Sequence, residues 1–134
     1  MFQPTVKLEF VRHYCPPGRG WHVFVDIDPS EEGRTGGERT NDIAREHQRL
    51  MQSDCQAARE QLERLGAQVC GSRAQWCRQH QLPRIVGVRD IIALHSASRV
   101  YVVVEVEGES SGQPEQKLYK AIGQNRRSCE RDRA

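Results

Sequence analysis

The chain has 134 residues, of which 37% are hydrophobic and 28% are charged, and its formal net charge at pH 7 is +2. This length fits one domain with a single core and argues against a second catalytic domain. A mean hydropathy of −0.74, without an apolar run of about 20 residues, argues against a transmembrane helix. A charge so close to neutral does not by itself indicate a nucleic-acid-binding protein.

The cysteines and the N terminus bear on the compartment. Five cysteines are an odd number, and no two of them form a C-x-x-C pair. This usage is typical of a reduced, cytoplasmic protein. The first residues, Met1 to Pro4, have neither the basic stretch nor the apolar segment of a secretory signal. We therefore expect a cytoplasmic protein that does not associate with membranes.

The N-terminal residues alternate between apolar and polar side chains in two stretches, 5–11 and 21–28. This period of two predicts an N-terminal β-hairpin over 1–28. The stretch between the strands, 15–20, is rich in proline and glycine and is suited to reversing the chain. Residues 29–39 contain three glycines, several charges and no apolar side chain, which predicts a flexible loop.

Residues 40–126 are expected to form the core of the domain. Apolar residues at spacings of three and four predict a long helix over 41–65, with Thr40 or Asn41 at its start and Gly66 at its end. The further elements are a short strand over 67–70, a short helix from Ser72 to Gln81, strands over 84–94 and 99–107, a helix over 114–126 and a polar tail over 127–134. This order predicts a single α/β (α+β) domain with a central mixed β-sheet flanked by helices.

Acidic residues interrupt the last two predicted strands. Asp90 lies in the strand 84–94, and Glu105 and Glu107 share one face at the end of the next strand, whose two apolar faces predict a central, buried position. If the turn at 95–98 pairs these strands antiparallel, residues whose numbers sum to about 194 lie opposite one another. Asp90 is then within one residue of Glu105.

Neighbouring carboxylates raise each other's pKa unless a positive charge compensates them. A divalent cation is one such charge, because Mg²⁺ prefers carboxylate, water and phosphate oxygens. Asp90 and Glu105 are therefore the candidate ligands of a Mg²⁺ or Mn²⁺ ion. The other interpretation is that these acids form salt bridges with Arg84, Arg89 or Arg99 in a purely structural α/β protein.

This arrangement resembles the PD-(D/E)XK nuclease superfamily, over the stretch from Arg84 to Gln124. The matching residues are Asp90, the motif Glu105-Val106-Glu107 on the next strand, and a following helix that carries Lys117 and Gln124. The resemblance implies a restriction-endonuclease-like fold that hydrolyses DNA phosphodiester bonds. It also implies that Asp90 and Glu105 hold one or two Mg²⁺ ions, which position the attacking water. The Val106 carbonyl would be a further contact.

Glu107 stands where the family usually has a lysine, and some restriction enzymes carry a similar Glu-x-Glu motif. The resemblance then implies that the positive charge comes from Lys117 or Lys120 on the following helix. Asp90, Glu105, Glu107 and Lys117 would form the catalytic set. The residues expected to contact the DNA backbone are Lys120, Gln124, Arg126 and Arg127.

A second hypothesis is a catalytically inactive nuclease-like scaffold that acts as a binding or assembly module. The family core has a further strand after its last helix, and no strand pattern follows Pro114 here. A Val-rich strand left at a sheet edge favours pairing with another chain. We therefore expect a homodimer with the N-terminal hairpin at or near the interface.

Two other clusters have simpler explanations than a metal site. Asp26 and Asp28 resemble the D-x-D of metal-dependent glycosyl transfer, but an exposed hairpin end also explains them. Cys70, Cys77 and His80 have zinc-ligand chemistry but no obvious fourth ligand. Buried cysteines often pack simply as small hydrophobic residues.

Overall fold

A computed structural model describes residues 1–33, 41–87 and 89–106. Three helices and four strands lie within these ranges and form one α+β domain. In chain order they are α1 (Gln3–Tyr14), β1 (Trp21–Val25), α2 (Asp42–Leu65), β2 (Gln68–Val69), α3 (Arg73–Gln79), β3 (Ile91–His95) and β4 (Tyr101–Val104).

The N-terminal hairpin was a wrong prediction. Residues 5–11, expected to be a strand, belong to helix α1, and only the second half of the expected hairpin forms a strand, β1. Pro4 suits the first turn of a helix, where a backbone N–H is not needed. Lys7, Leu8 and Val11, at spacings of three and four, are all buried. The helical period therefore accounts for the buried side of this segment, and the alternation of its apolar residues does not.

The sheet is mixed, as predicted, with the strand order β2-β1-β3-β4. β1 pairs parallel with β2 and antiparallel with β3, and β3 pairs antiparallel with β4. The last two strands are shorter than predicted, but their register, in which Ile91 lies opposite Val104, is within one residue of the expected one. Among the described strands β4 is the last in the sheet order, and its predicted central position stays a prediction.

Helix α2 has the bounds that the sequence predicts. The Asn41 side chain caps its start by accepting a hydrogen bond from the Ala44 N–H at 2.7 Å, and Gly66 ends it with a left-handed φ of 104°. Leu62 is fully buried, whereas Ile43 is 85% exposed. The fully buried part of the predicted apolar stripe therefore lies in the C-terminal half of α2.

Two hydrophobic clusters cover the two faces of the sheet. Helices α1 and α2 contribute Leu8, Val11 and Leu62 to the first cluster, which includes Val25 of β1. Helix α3, capped by the Ser72 side chain, contributes to the second cluster, whose members are Phe24, Trp76, Cys77, Ile92 and Leu94. Because side chains alternate along β1, its successive residues face different helices.

The remaining predictions concern loops and the C-terminal region. Residues 29–33 form turns, and Glu31 is only 4% exposed, so this start of the predicted flexible loop packs against the domain. Residues 34–39, the predicted helix over 114–126 and the polar tail lie outside the described residues. Within the described ranges, no helix combines the length and the apolar character that a membrane span needs.

Candidate functional site

Three acids flank three neighbouring strands of the sheet. Asp26 directly follows β1, Asp90 directly precedes β3, and Glu105 directly follows β4. The observed register, extended by one residue beyond the strand ends, puts these three acids in one row across the sheet. We call Asp26, Asp90 and Glu105 the acidic row. The backbone adjacency of Asp90 and Glu105 that the sequence predicts is thus observed.

Backbone hydrogen bonds continue the sheet into the acidic row. The Asp26 N–H donates to the Asp90 carbonyl at 2.8 Å, and the Asp90 N–H donates to the Val104 carbonyl at 3.0 Å. The Asp90 side chain adds a third bond, since its Oδ2 accepts the Val106 N–H at 2.9 Å. Asp90 is therefore held by backbone groups on both neighbouring chain segments.

A buried lysine occupies the other side of Asp90. The Nζ of Lys7 lies 3.1 Å from Asp90 Oδ1 and 2.6 Å from Glu31 Oε1, and it donates to the Asp26 carbonyl oxygen at 2.6 Å. The Lys7 side chain is wholly buried. An ammonium has three N–H donors, and these three oxygens match that number. Helix α1 thus supplies one cation to two carboxylates.

Burial and neighbouring charges shift the pKa values of Lys7 and Glu31. Burial by itself lowers the pKa of the Lys7 ammonium, but Asp90 and Glu31 outweigh it, so the net shift is upward from 10.5. Burial raises the pKa of Glu31 to about 7, although the Lys7 ammonium opposes this shift. The second oxygen of Glu31, Oε2, is buried and has no hydrogen-bond partner within the described residues. Lys7 thus remains charged at neutral pH, where Glu31 titrates.

Glu105 also has a cationic neighbour, because Arg89 forms an ion pair with it. The salt bridge expected with Arg89 is therefore observed for Glu105. Arg99 instead donates to the backbone carbonyls of His80 and Gln81, at 2.9 and 3.3 Å. Over residues 1–33, 41–87 and 89–106, no group of three or more His, Cys, Asp or Glu side chains is arranged to hold a metal ion.

The described residues include two of the predicted site residues, Asp90 and Glu105, which lie together in the acidic row. The others lie outside the described residues: Glu107, Lys117, Lys120, Gln124, Arg126 and Arg127. Sequence analysis missed Lys7 and Glu31. The signal for Lys7 was present, since its spacings of three from Pro4 and four from Val11 predict a buried position once the segment is taken as a helix.

The two minor clusters have structural roles. Asp28 accepts the Glu31 N–H at 3.0 Å and the Ser30 hydroxyl, which closes the turn after β1. Cys77 is 2% exposed and packs in the cluster beneath α3. The His80 ring lies against Trp76, with ring centroids 4.5 Å apart. These contacts explain the residues without a metal.

Comparison with protein-family models, with curated proteins and with solved structures found no match to this chain. The α+β class and the mixed sheet are observed directly. The restriction-endonuclease-like core remains a prediction, which depends on Asp90 and on the motif that begins at Glu105.

Proposed function

We propose that the protein is a nuclease-fold enzyme that hydrolyses DNA phosphodiester bonds, with Mg²⁺ or Mn²⁺ held by Asp90 and Glu105. The acidic row is the observation that carries this proposal. It brings two carboxylates from adjacent antiparallel strands to the same end of the sheet. One or two carboxylates, together with water and phosphate oxygens, are the usual protein donors for Mg²⁺. The two carboxylates are therefore donors of the type that such an ion prefers.

The bound ion would supply charge neutralisation at the phosphate and an activated water. The chain's own residues hold the carboxylates. Lys7 bonds Asp90 from the buried side, and Arg89 pairs with Glu105 from the more exposed side. Lys7 is a positioning residue in this proposal, because it is wholly buried and acts through Asp90.

The remaining roles are proposed from the resemblance. Glu107 and Lys117 would order and activate the water. The residues that would contact the DNA backbone are Lys120, Gln124, Arg126 and Arg127. The variants Lys117→Ala and Lys120→Ala separate these roles, because the first should reduce cleavage more than binding and the second should weaken binding and its salt dependence.

The test is cleavage of duplex and single-stranded DNA in millimolar Mg²⁺ or Mn²⁺. We expect metal-dependent cleavage by the wild type and a loss of at least tenfold in Glu105→Gln and Asp90→Asn. Asp42→Asn is the matched control, since Asp42 pairs with Arg45 on the surface of α2. Absence of cleavage by a folded wild type, or equal activity of Glu105→Gln and Asp42→Asn, would contradict the proposal.

The second candidate is an inactive nuclease-like scaffold that binds DNA or a protein partner. One observation favours it: Asp90 and Glu105 each already have a cationic neighbour, Lys7 and Arg89. A scaffold of this kind would bind without cleaving, with or without a divalent cation. DNA binding combined with no cleavage in the assay above would therefore support the scaffold.

Assembly and location are also proposed. In the described sheet β4 lies at the edge, and an open edge strand favours a homodimer. The interface proposed at an N-terminal hairpin is withdrawn, because α1 replaces that hairpin. Light scattering that gives the monomer mass of 15.3 kDa at micromolar concentrations would contradict the dimer. A cytoplasmic location is proposed from cysteine usage, and the cysteines in the described ranges are free thiols.

A further inference from the structure

The arginine side chains on the two sides of the sheet differ in how many of them pair with carboxylates. On the side of α1 and α2, four of the five arginines in the helices lie one helical turn from an acid that pairs with them. Arg12 pairs with Glu9 at 2.8 Å, and Arg59 lies 3.4 Å from Glu63. Arg45 and Arg49 have equivalent partners in Asp42 and Glu46. This side therefore presents mixed charge.

Among the described residues, the segment that contains α3 carries more arginines than acids. From Cys70 to Val102 the sequence has one acid, Asp90, which pairs with Lys7. The same stretch has five arginines: Arg73, Arg78, Arg84, Arg89 and Arg99. Arg89 pairs with Glu105, and Arg99 bonds to backbone carbonyls. Within the part of the chain that the structure describes, the other three form no ion pair with a carboxylate.

Packing places the segments that carry these three arginines on the same side of the sheet. Arg73 and Arg78 belong to α3, which covers the sheet through Trp76 and Cys77. The residue after Arg84 is Ile85, which packs against the same cluster. We call Arg73, Arg78 and Arg84 the α3 arginines. The chain leads from them directly to Arg89 and the acidic row.

We propose that the α3 arginines bind the phosphate backbone of duplex DNA. A guanidinium offers a planar fork of donors that matches phosphate oxygens, and its charge does not depend on pH in the physiological range. Several arginines on one side of a domain, without carboxylate partners among the described residues, are the electrostatic pattern of phosphate recognition. Trp76 is 3% exposed, so its ring is not available for stacking on bases. The choice of DNA rests on the proposed nuclease function.

The test compares two triple variants that remove the same charge. Arg73→Gln/Arg78→Gln/Arg84→Gln removes the α3 arginines, and the control, Arg45→Gln/Arg49→Gln/Arg64→Gln, removes exposed arginines of α2. Binding to a fluorescent DNA duplex is measured by anisotropy in EDTA, so that no cleavage occurs, at several salt concentrations. If the α3 triple variant unfolds, the double variant without the Arg73 substitution is used, because Arg78 and Arg84 are exposed.

We expect the α3 triple variant to bind at least tenfold more weakly than the control. Its slope of log K against log salt should be smaller by about three, since each lost phosphate contact removes about 0.9. The double variant should lose about two. Equal affinity and slope in the α3 and control variants would overturn the inference, as would a wild type that does not bind DNA.

The binding assay separates this inference from the proposed function, because it contains no metal and requires no reaction. If the α3 variant loses binding but the wild type does not cleave DNA with Mg²⁺ or Mn²⁺, the inference stands and the nuclease proposal fails. If the wild type cleaves DNA but the α3 variant binds like the control, the nuclease proposal stands and the inference fails.

Discussion

The Nζ atom of Lys7, in the first helix, lies 3.1 Å from Oδ1 of Asp90, the residue before β3. The same ammonium lies 2.6 Å from Glu31, so one buried cation neutralises acids from two different loops. This contact makes α1 part of the candidate site. It also ties the position of Asp90 to the packing of α1 against the sheet.

Lys7→Met tests this contact. It removes the cation and leaves Glu31 and Asp90 as neighbouring acids with little solvent around them. Breaking a buried pair by removing one partner lowers the free energy of unfolding by about 3–5 kcal/mol. The loss should be smaller at pH 5 than at pH 8, because protonation of Glu31, whose pKa is raised by burial, removes the repulsion between the two acids. Urea unfolding at the two pH values measures both effects.

The control for Lys7→Met is Arg12→Gln. Arg12 lies on the same helix and pairs with Glu9 at the surface. Exposed pairs of this kind contribute about 0–1 kcal/mol. A Lys7 variant as stable as the Arg12 variant would contradict the buried arrangement of Lys7.

Glu31→Gln tests the raised pKa of Glu31, which is about 7 because of burial. The folded protein binds this proton more tightly than the unfolded chain, whose ordinary value is 4.5. The stabilisation by the proton is therefore complete below about pH 4.5 and is lost as the pH rises to about 7. Relative to the wild type, the free energy of unfolding of Glu31→Gln should rise over this window by about 3 kcal/mol.

The measurement is urea unfolding of both proteins from pH 4.5 to pH 8. Glu46→Gln is the control, because the pKa of Glu46 is shifted in the opposite direction. A hydrogen bond from Arg49 lowers the pKa of this exposed carboxylate. Relative to the wild type, the control should therefore become slightly less stable as the pH rises. A constant difference between Glu31→Gln and the wild type would show that Glu31 does not titrate in this window.

Local pattern was enough to predict α2, α3 and the pairing of the last two strands. Asn41, Gly66 and Ser72 are capping residues whose action needs only a few neighbouring residues. The short turn at 95–98 sets the register of β3 and β4 to within one residue. From this register the sequence alone predicted that Asp90 and Glu105 lie next to each other.

The formation of α1 and the burial of Lys7 depend on contacts between residues that are distant in the sequence. Apolar residues in 5–11 satisfy a period of two as well as a helical period, so local pattern cannot choose between strand and helix there. The choice depends on packing, which buries Lys7 against Glu31 and Asp90. Glu31 lies in a polar, glycine-containing segment, where nothing local indicates burial.

Leu62→Ala and Leu50→Ala test which half of α2 is anchored in the core. Leu62 is fully buried in the first cluster, whereas Leu50 is 49% exposed. Truncating Leu62 should lower the free energy of unfolding by about 2–5 kcal/mol, because it leaves a cavity. Truncating Leu50 should cost less than about 1 kcal/mol. Similar losses in the two variants, measured by urea unfolding, would contradict the packing of α2.

The central claim is that Asp90 and Glu105 together hold a divalent cation, and a thermal titration with Mn²⁺ tests it most directly. A cation that binds the folded protein raises the melting temperature with concentration by mass action. We expect such a rise in the wild type and in the control Asp42→Asn, and a much smaller rise in Glu105→Gln and Asp90→Asn. No rise in the wild type at millimolar Mn²⁺, or equal rises in Glu105→Gln and Asp42→Asn, would contradict the claim.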